Sequence, residues 1–191
     1  MAKLDISNAY YSIPIAKEHR KYLSFEFENK YYCFTCVPNG LASGPRVYTK
    51  LTKPIYSTLR QLGYTNSSYI DDSLLIGDTE EECEENEKET SKLLIKCGFT
   101  LNLDKSEPKP SNQKIYLGFI IDSITMQVYL PKEKADLIKR ECEKLLALKE
   151  VSIRHVSRVI GLIVASFPAV QFGRLHYRAL QANKIKELNK A

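Results

Sequence analysis

No stretch of this sequence is long and apolar enough to cross a membrane, and its amino terminus lacks the pattern of a signal peptide. There is also no internal repeat and no low-complexity tract. An apolar content of 43% with 27% charged residues is typical of a globular domain. The sequence therefore predicts an intracellular protein without a membrane partner, and it does not distinguish the cytoplasm from the nucleus.

Cysteine and histidine are too few and too scattered to predict a disulfide framework or a zinc site. The five cysteines are odd in number, which favours reduced thiols. Cys33 and Cys36 form a Cys-x-x-Cys pair, but they lie in a strand-like aromatic run with no second Cys or His pair at zinc-binding spacing. We therefore expect structural thiols, and no metal or redox chemistry from these residues.

Charge is distributed unevenly along the chain. Residues 1–130 carry 15 Lys and Arg against 17 Asp and Glu, whereas residues 131–191 carry 13 against 6. A basic carboxy-terminal part attached to an acidic part suits a polyanionic partner that is held near a carboxylate site. An ordinary solvated surface would show the same bias.

Strand-like and helix-like segments alternate up to about residue 130, and only helix-like segments follow. Alternating runs predict a strand at residues 3–6 and two strands around Glu28-Asn29-Lys30. Capping residues predict helices from Gly44 to about Leu62 and from Thr79 to Gly98. The later elements are a hairpin over residues 115–130 with its bend near Ser123, and helices at about 132–148, 152–166 and 168–187. This order predicts an α+β fold, in which an antiparallel sheet with helices packed on one face spans residues 1–130 and an all-helical unit spans residues 131–191.

Two adjacent carboxylates, Asp71 and Asp72, interrupt the apolar stretch SYIDDSLLIGD, which predicts two strands joined by a tight turn at or beside this pair. The ordinary interpretation is that Asp71 is a turn residue and Asp72 is solvated. Asp5, at the end of the first predicted strand, offers a third carboxylate. If that strand lies beside the hairpin, three like charges converge and require a cation. Mg²⁺ prefers oxygen ligands, and a pair of ions would suit nucleotidyl transfer to a 3′-hydroxyl with pyrophosphate as the leaving group.

Five motifs in sequence order resemble those of reverse transcriptases. They are LDISNAYY, VPNGLASGPRVYTK, YIDD, GFTLNLDKSE and YLGF, which resemble the first palm motif, the Pro-x-Gly motif, the catalytic Tyr-x-Asp-Asp box, the Lys-bearing motif and the primer-grip hairpin. The resemblance implies a palm over residues 1–130, including part of the junction with the fingers, and a helical thumb or connection over residues 131–191. It implies RNA-directed DNA polymerase activity.

The carboxy-terminal segment VSRVIGLIVASFPAVQFGRLHYRALQANK resembles the part that follows the palm in retrotransposon polymerases of the DIRS type, which carry a tyrosine recombinase. Gypsy-type elements and pararetroviruses are less similar there. The resemblance implies a retrotransposon polyprotein in which RNase H and recombinase regions are further partners. It also leads us to expect that the fingers segment before Asp5 is missing, so that this chain alone has weak activity or none.

The resemblance assigns the metal site to residues of the first palm motif and of the Tyr-x-Asp-Asp box. It makes Asp5 and Asp71 the principal ligands of two Mg²⁺ ions, for which Mn²⁺ is a possible substitute. Asp72 completes the acidic cluster, and the Ile6 carbonyl is a further candidate ligand. Lys105 matches the general acid that would protonate or neutralise pyrophosphate, although an exposed surface Lys is the ordinary alternative.

The resemblance also implies a deoxynucleotide site. Asn8 and Ala9 would offer backbone N–H groups to the triphosphate. Tyr10 matches the steric gate whose ring excludes a 2′-hydroxyl, so that the substrate is dNTP; a core aromatic is the alternative. Asn39 stands where related enzymes often carry Gln or Phe, which leaves its role open, and Gly40 would permit close approach of the backbone to the base pair.

An RNA and DNA primer-template is the implied macromolecular partner. Tyr69, Leu117 and Gly118 would steady the primer end. Five cations of the carboxy-terminal part are candidates for phosphate contacts, and each would equally suit a solvated surface. These five are Lys132, Lys139, Arg140, Arg154 and Arg158.

Three other functions compete with the polymerase interpretation. One is a catalytically silent, nucleic-acid-binding remnant that keeps the fold and the basic helices. Another is an RNA-directed RNA polymerase with the same palm, which Tyr10 disfavours. A signalling cyclase with a related palm would not explain the resemblance to the primer grip and thumb.

Overall fold

The computed structural model describes residues 1–190 and divides the chain into two compact units, Met1–Lys114 and Ile115–Ala191. The α+β fold is confirmed, with antiparallel strands and helices, although three strands lie where the sequence predicted a single hairpin over residues 115–130. The boundary after Lys114 separates two units that are each compactly packed. The functional boundary predicted after residue 130 stays a prediction. Within residues 1–190, no helix is long and apolar enough to span a membrane.

The elements of the first unit alternate between strands and helices. The strands are β1 (Ala2–Asp5), β2 (Ser24–Phe27), β3 (Lys30–Cys33), β4 (Thr65–Tyr69) and β5 (Asp72–Ile76), and the helices are α1 (Gly44–Gln61) and α2 (Glu80–Lys96). Two 3₁₀ helices, Ala9–Ser12 and Lys17–Leu23, lie between β1 and β2. The predicted hairpin of β2 and β3 is confirmed, and it turns at Glu28 and Asn29, whose φ angles are 50° and 57°.

An antiparallel sheet with strand order β1, β5, β4 forms the centre of the first unit. Side chains alternate across a strand, so Leu4, Ser73 and Leu75 share the face toward the helices. On that face, the Tyr56 hydroxyl of α1 is hydrogen-bonded to the Ser73 hydroxyl. The apolar core therefore lies between this face of the sheet and the two helices.

Helix α2 is attached closely to the same face. Thr79 caps its first turn by accepting a hydrogen bond from the Glu82 N–H at 3.2 Å, as the sequence predicts. The Asn86 side chain donates to the carbonyls of Thr65 and Ile76, at 2.8 and 3.0 Å. A Cβ at Gly77 would lie 2.4 Å from the backbone nitrogen of Cys83, so only glycine permits this approach of strand end and helix.

The second unit contains a small sheet followed by helices. Its strands are β6 (Gln113–Tyr116), which the unit boundary crosses, β7 (Phe119–Asp122) and β8 (Gln127–Tyr129), and its helices are α3 (Lys132–Ala147), α4 (Ile153–Val164), α5 (Gly173–His176) and α6 (Arg178–Leu188). The expected single helix over residues 168–187 is wrong. Phe172 has a φ of 55°, and Gly173 lies against the Phe167 ring, so the chain turns there before α6 begins.

Candidate active site

The face of the central sheet opposite the helices carries the predicted site. Asp5 lies opposite Asp72 in the ladder of β1 and β5, and Asp72 lies opposite Tyr69 in the ladder of β5 and β4. Directly opposed residues of an antiparallel pair project to the same face. The three side chains therefore share one face at one end of the sheet.

Asp71 lies in the two-residue turn between β4 and β5. The Ile6 N–H donates to the Asp71 carbonyl at 3.0 Å, which joins the end of β1 to this turn. Ile70, the other turn residue, has a φ of 52°, which is rare for a β-branched residue. Such strained backbone is concentrated at functional sites, where the surrounding structure maintains it.

The segment of residues 101–107 runs along β1 and brackets Asp5. Its ends are bridged to Ile6 and Lys3, and the N–H of Asn102 donates to the Asp5 carbonyl at 2.8 Å. The Asp5 N–H donates to the Ser106 hydroxyl at 3.0 Å. Lys105 is therefore carried by a segment anchored on both sides of Asp5.

The charged side chains of the site change the pKa of Asp5. The Asp5 side chain is buried, and this burial together with the negative charge of Asp71 raises the pKa of its carboxyl above the ordinary value. Asp72 also raises this pKa, whereas Lys105 lowers it. The structure thus brings Asp5, Asp71, Asp72 and Lys105 into one electrostatic cluster.

Asp72 has a partner that the sequence did not indicate. Its carboxylate lies 3.1 Å from the Lys3 ammonium, and both side chains are largely shielded from solvent, with exposures of 25% and 17%. Within residues 1–190, no three His, Cys, Asp or Glu side chains form a complete metal-binding group. The other two carboxylates of the cluster, Asp5 and Asp71, form no salt bridge within these described residues. Mg²⁺ usually binds one or two carboxylates of a protein.

Tyr10 lies at the edge of the apolar core. Its half-buried ring meets the fully buried Tyr48 ring edge to face, with centroids 5.8 Å apart. The charges of Asp71 and Asp5 contribute to raising the pKa of Tyr48, after burial, which is the larger cause. Tyr10 therefore has the packing expected of a core aromatic, against a ring that itself feels the charges of Asp5 and Asp71.

The remaining residues of the predicted nucleotide site lie in turns of the first unit. Asn8 is exposed, with a φ of 52°, and it precedes the 3₁₀ helix that begins at the buried Ala9. Asn39 and Gly40 form an exposed turn, closed by a hydrogen bond from the Leu41 N–H to the Pro38 carbonyl at 3.4 Å. Gly40 has a φ of 89°, which the third position of a type II turn requires.

The predicted primer-grip residues of the second unit form the turn between β6 and β7. Leu117 and Gly118 both have positive φ, 49° and 76°, as in tight hairpin turns. The Lys134 ammonium donates to the Gly118 carbonyl at 3.5 Å and lies 4.3 Å from the centre of the Phe119 ring. The turn is therefore fixed against the start of α3.

The five predicted phosphate-contacting cations lie on α3 and α4, and all are exposed. Arg158 differs from the others because its guanidinium lies 3.7 Å from the carboxylate of the buried Glu141. Lys144 and His155 also approach Glu141, at 2.9 and 3.6 Å. Arg158 therefore has a structural partner, whatever its contact with nucleic acid.

We expect Glu141→Gln to lower the melting temperature at about pH 7 by several degrees, because it removes the charge that accepts the Lys144 hydrogen bond and that lies 3.7 Å from the Arg158 guanidinium. The Lys144 hydrogen bond holds the pKa of Glu141 below its ordinary value. The stabilisation is therefore present above the pH at which an unfolded Glu titrates and is lost as the pH falls through the folded-state pKa. Thermal denaturation at several pH values measures it, with the exposed Glu143→Gln as control. Equal losses for both variants, or a difference independent of pH, would contradict this expectation.

Several basic residues near the site were not predicted from the sequence. Lys3 could be found only from the strand register, because its partner Asp72 is diagonal to it across β1 and β5. Arg46, Lys50 and Lys53 repeat at helical spacing on α1, a signal that the sequence does contain. Their place beside the turn at Ile70 follows only from the packing of α1 on the sheet.

Comparison with known proteins gives a consistent result. Residues 1–121 match the family model described as reverse transcriptase (RNA-dependent DNA polymerase). The Pro-Pol polyprotein of Simian foamy virus type 1 is 27% identical over 161 residues, covering 84% of this chain and 13% of that protein. Protein P of Duck hepatitis B virus (strain United States/DHBV-16) is 26% identical over 126 residues, covering 65% of this chain and 15% of that protein. The chain thus spans a small part of the length of these relatives.

Solved structures show the same fold. The foamy viral protease-reverse transcriptase in complex with an RNA/DNA hybrid matches with a TM-score of 0.78 at 21% identity, over 97% of this chain and 24% of that one. The same viral protein in complex with dsDNA matches with a TM-score of 0.71 at 21% identity, over 100% of this chain and 42% of that one.

Proposed function

This chain belongs to the reverse transcriptase (RNA-dependent DNA polymerase) family, and from that premise we propose that it is the palm and thumb of an RNA-directed DNA polymerase. The proposed reaction adds dNTPs to a primer 3′-hydroxyl on an RNA template. The observation that carries the proposal is the meeting of Asp5 and Asp71 at one end of the central sheet, joined by the hydrogen bond from Ile6 to the turn. The fold match to polymerases bound to RNA/DNA hybrid and dsDNA supports it.

Asp5 and Asp71 would hold two Mg²⁺ ions, with Asp72 and the Ile6 carbonyl at the margin of the site. The donor set fits this role, because the buried Asp5 and its neighbour Asp71 are oxygen ligands that repel each other, and Mg²⁺ usually takes only one or two carboxylates from a protein. When bound, the ions would activate the primer hydroxyl and stabilise the leaving pyrophosphate.

Lys105 would donate a proton to the pyrophosphate or neutralise it, since its exposed ammonium is carried beside Asp5. Asn8 and Ala9 would bind the triphosphate with backbone N–H groups. Tyr10 would lie under the sugar, and Asn39 and Gly40 would approach the nucleotide from the type II turn. Primer and template contacts would come from Tyr69, from the turn at Leu117 and Gly118, and from the cations of α3 and α4.

Lys3 gives a prediction that does not depend on turnover. We expect Lys3→Met to strengthen Mg²⁺ or Mn²⁺ binding by about 10-fold, because Asp72 then adds an unpaired negative charge to the site. The melting temperature without metal should fall, since a partly buried carboxylate loses its partner. Isothermal titration calorimetry and thermal denaturation measure the two effects. Lys3→Arg keeps the charge and should change neither by much, and unchanged metal affinity in Lys3→Met would disprove the assignment.

We further propose that the parent is a retrotransposon of the DIRS type, on the resemblance of residues 156–184 to such elements. RNase H and recombinase regions of one polyprotein would then act with this chain. The curated relatives named above are viral, so the proposal rests on that segment alone. The coding sequence downstream of this chain tests it: a recombinase region supports the DIRS assignment, and an integrase region refutes it.

Primer extension tests the function itself. The assay uses an RNA template, a DNA primer, dNTPs and Mg²⁺, with this chain and with a longer product of the same gene that includes upstream sequence. We expect template-directed incorporation by the longer product at least. Binding of the primer-template without extension by either protein would instead support a silent nucleic-acid-binding remnant.

A further inference from the structure

A cleft of about 540 Å³ opens between α1 and the end of the β4–β5 hairpin. Its α1 wall carries Arg46, Lys50 and Lys53, and its β4 wall carries Ser68 and Tyr69. We call it the basic cleft. Both walls belong to the first unit, and β4 is an edge strand of the central sheet.

The three cations of the basic cleft form a row on one side of α1. Residues separated by four and seven positions project in nearly the same direction from a helix, at a rise of about 1.5 Å per residue. The row from Arg46 to Lys53 is therefore about 10 Å long. Within residues 1–190, none of the three forms a salt bridge with an acidic side chain, whereas Lys92 on α2 is paired with Glu89 at 3.2 Å.

The opposite wall leads directly to the carboxylates. Tyr69 lies opposite Asp72 in the β4–β5 ladder, and the residue is 58% exposed. An exposed ring beside a row of cations can pack against a sugar or stack on a base. The Ser68 hydroxyl adds a neutral hydrogen-bonding group of the kind that contacts phosphate.

We propose that the basic cleft binds the sugar-phosphate backbone of one nucleic-acid strand, with Arg46, Lys50 and Lys53 on successive phosphates and Tyr69 against the adjoining sugar or base. This inference rests on the proposed polymerase function, because Tyr69 connects the cleft to the carboxylate site. A row of about 10 Å spans several phosphates of one strand, which advance about 3.4 Å each along the axis of a duplex. A free nucleotide, which concentrates its charge at one point, would leave part of the row unused.

Fluorescence anisotropy with a labelled RNA/DNA hybrid tests the proposal on the full chain. Lys50→Gln combined with Lys53→Gln removes two cleft charges without lowering helix propensity. The matched control removes two exposed charges of α2, in Lys88→Gln combined with Lys96→Gln. Titrations at several salt concentrations give the affinity and the slope of log K against log salt.

We expect the cleft variant to weaken binding at least about 10-fold at low salt and to reduce the slope by about 0.9 for each lost cation. The α2 variant should stay close to the wild type in both. Equal effects of the two variants would overturn the proposed role of the basic cleft, because the overall positive charge of the chain would then explain the binding. The polymerase proposal would remain intact. Absence of hybrid binding by the wild type, or binding to acidic phospholipid vesicles alone, would overturn both proposals.

Discussion

Replacement of Asp71 by Asn is expected to lower the rate of nucleotide addition by about 10³-fold or more, with no loss of affinity for an RNA/DNA hybrid. The amide keeps the shape of the side chain and the turn, but it removes a negative charge required to hold a divalent cation. The carbonyl of residue 71, which accepts from Ile6, is unaffected by the substitution. Single-turnover primer extension measures the rate, and anisotropy measures the affinity.

The same substitution should raise the melting temperature measured without divalent ions. Asp71 raises the pKa of Asp5, which means that the two carboxylates repel each other in the folded protein. Removing one charge relieves this repulsion. Greater stability together with lost turnover is typical of a functional site and not of a structural one. Asp136→Asn, an exposed carboxylate on α3, serves as control; normal turnover by the Asp71 variant would refute the active-site assignment.

The second large effect concerns the choice of sugar. Tyr10→Ala should raise the incorporation of rNTP relative to dNTP by about 10- to 100-fold, because the ring that would collide with a 2′-hydroxyl is gone. Tyr10→Phe keeps the ring and should keep the selectivity. Competition of rNTP and dNTP in primer extension measures the ratio, and unchanged ribonucleotide incorporation by Tyr10→Ala would refute the gate.

Stability measurements are needed beside that assay, since Tyr10 also packs on Tyr48 with ring centroids 5.8 Å apart. Tyr10→Ala should therefore destabilise the protein as well as alter selectivity. Tyr11→Ala offers a matched control, because Tyr11 is 44% exposed and belongs to the same 3₁₀ helix. A change of selectivity in the Tyr10 variant alone separates the gate from general loosening of the core.

Features determined by local chemistry were predicted well. Thr79 and Glu82 give the start of α2, Gly63 follows the end of α1, and the turn at Glu28 and Asn29 joins β2 to β3. Each depends on a few neighbouring residues whose backbone preferences agree. The split of the last predicted helix at Phe172 was missed, because it depends on packing of Gly173 against Phe167, which helical periodicity does not reveal.

The motifs identified the acidic residues of the candidate site, and their convergence was predicted on one condition: the strand of Asp5 had to lie beside the hairpin, which the pairing of β1 with β5 confirms. The motifs identify Asp5, Asp71 and Asp72, whereas their meeting depends on pairing of β1 with β5, which are about 70 residues apart in sequence. The partner of Asp72 also depends on that register, since Lys3 reaches it diagonally. Long-range pairing of this kind leaves no trace in local composition.

Metal location tests the central claim most directly. Crystals of the protein with an RNA/DNA hybrid, a dideoxy-terminated primer, dNTP and Mn²⁺ would give an anomalous signal at each bound ion. We predict signal at coordination distance from carboxylate oxygens of both Asp5 and Asp71, with the dNTP phosphates on the other side. Bound nucleotide with manganese absent from these two carboxylates would contradict the proposed mechanism.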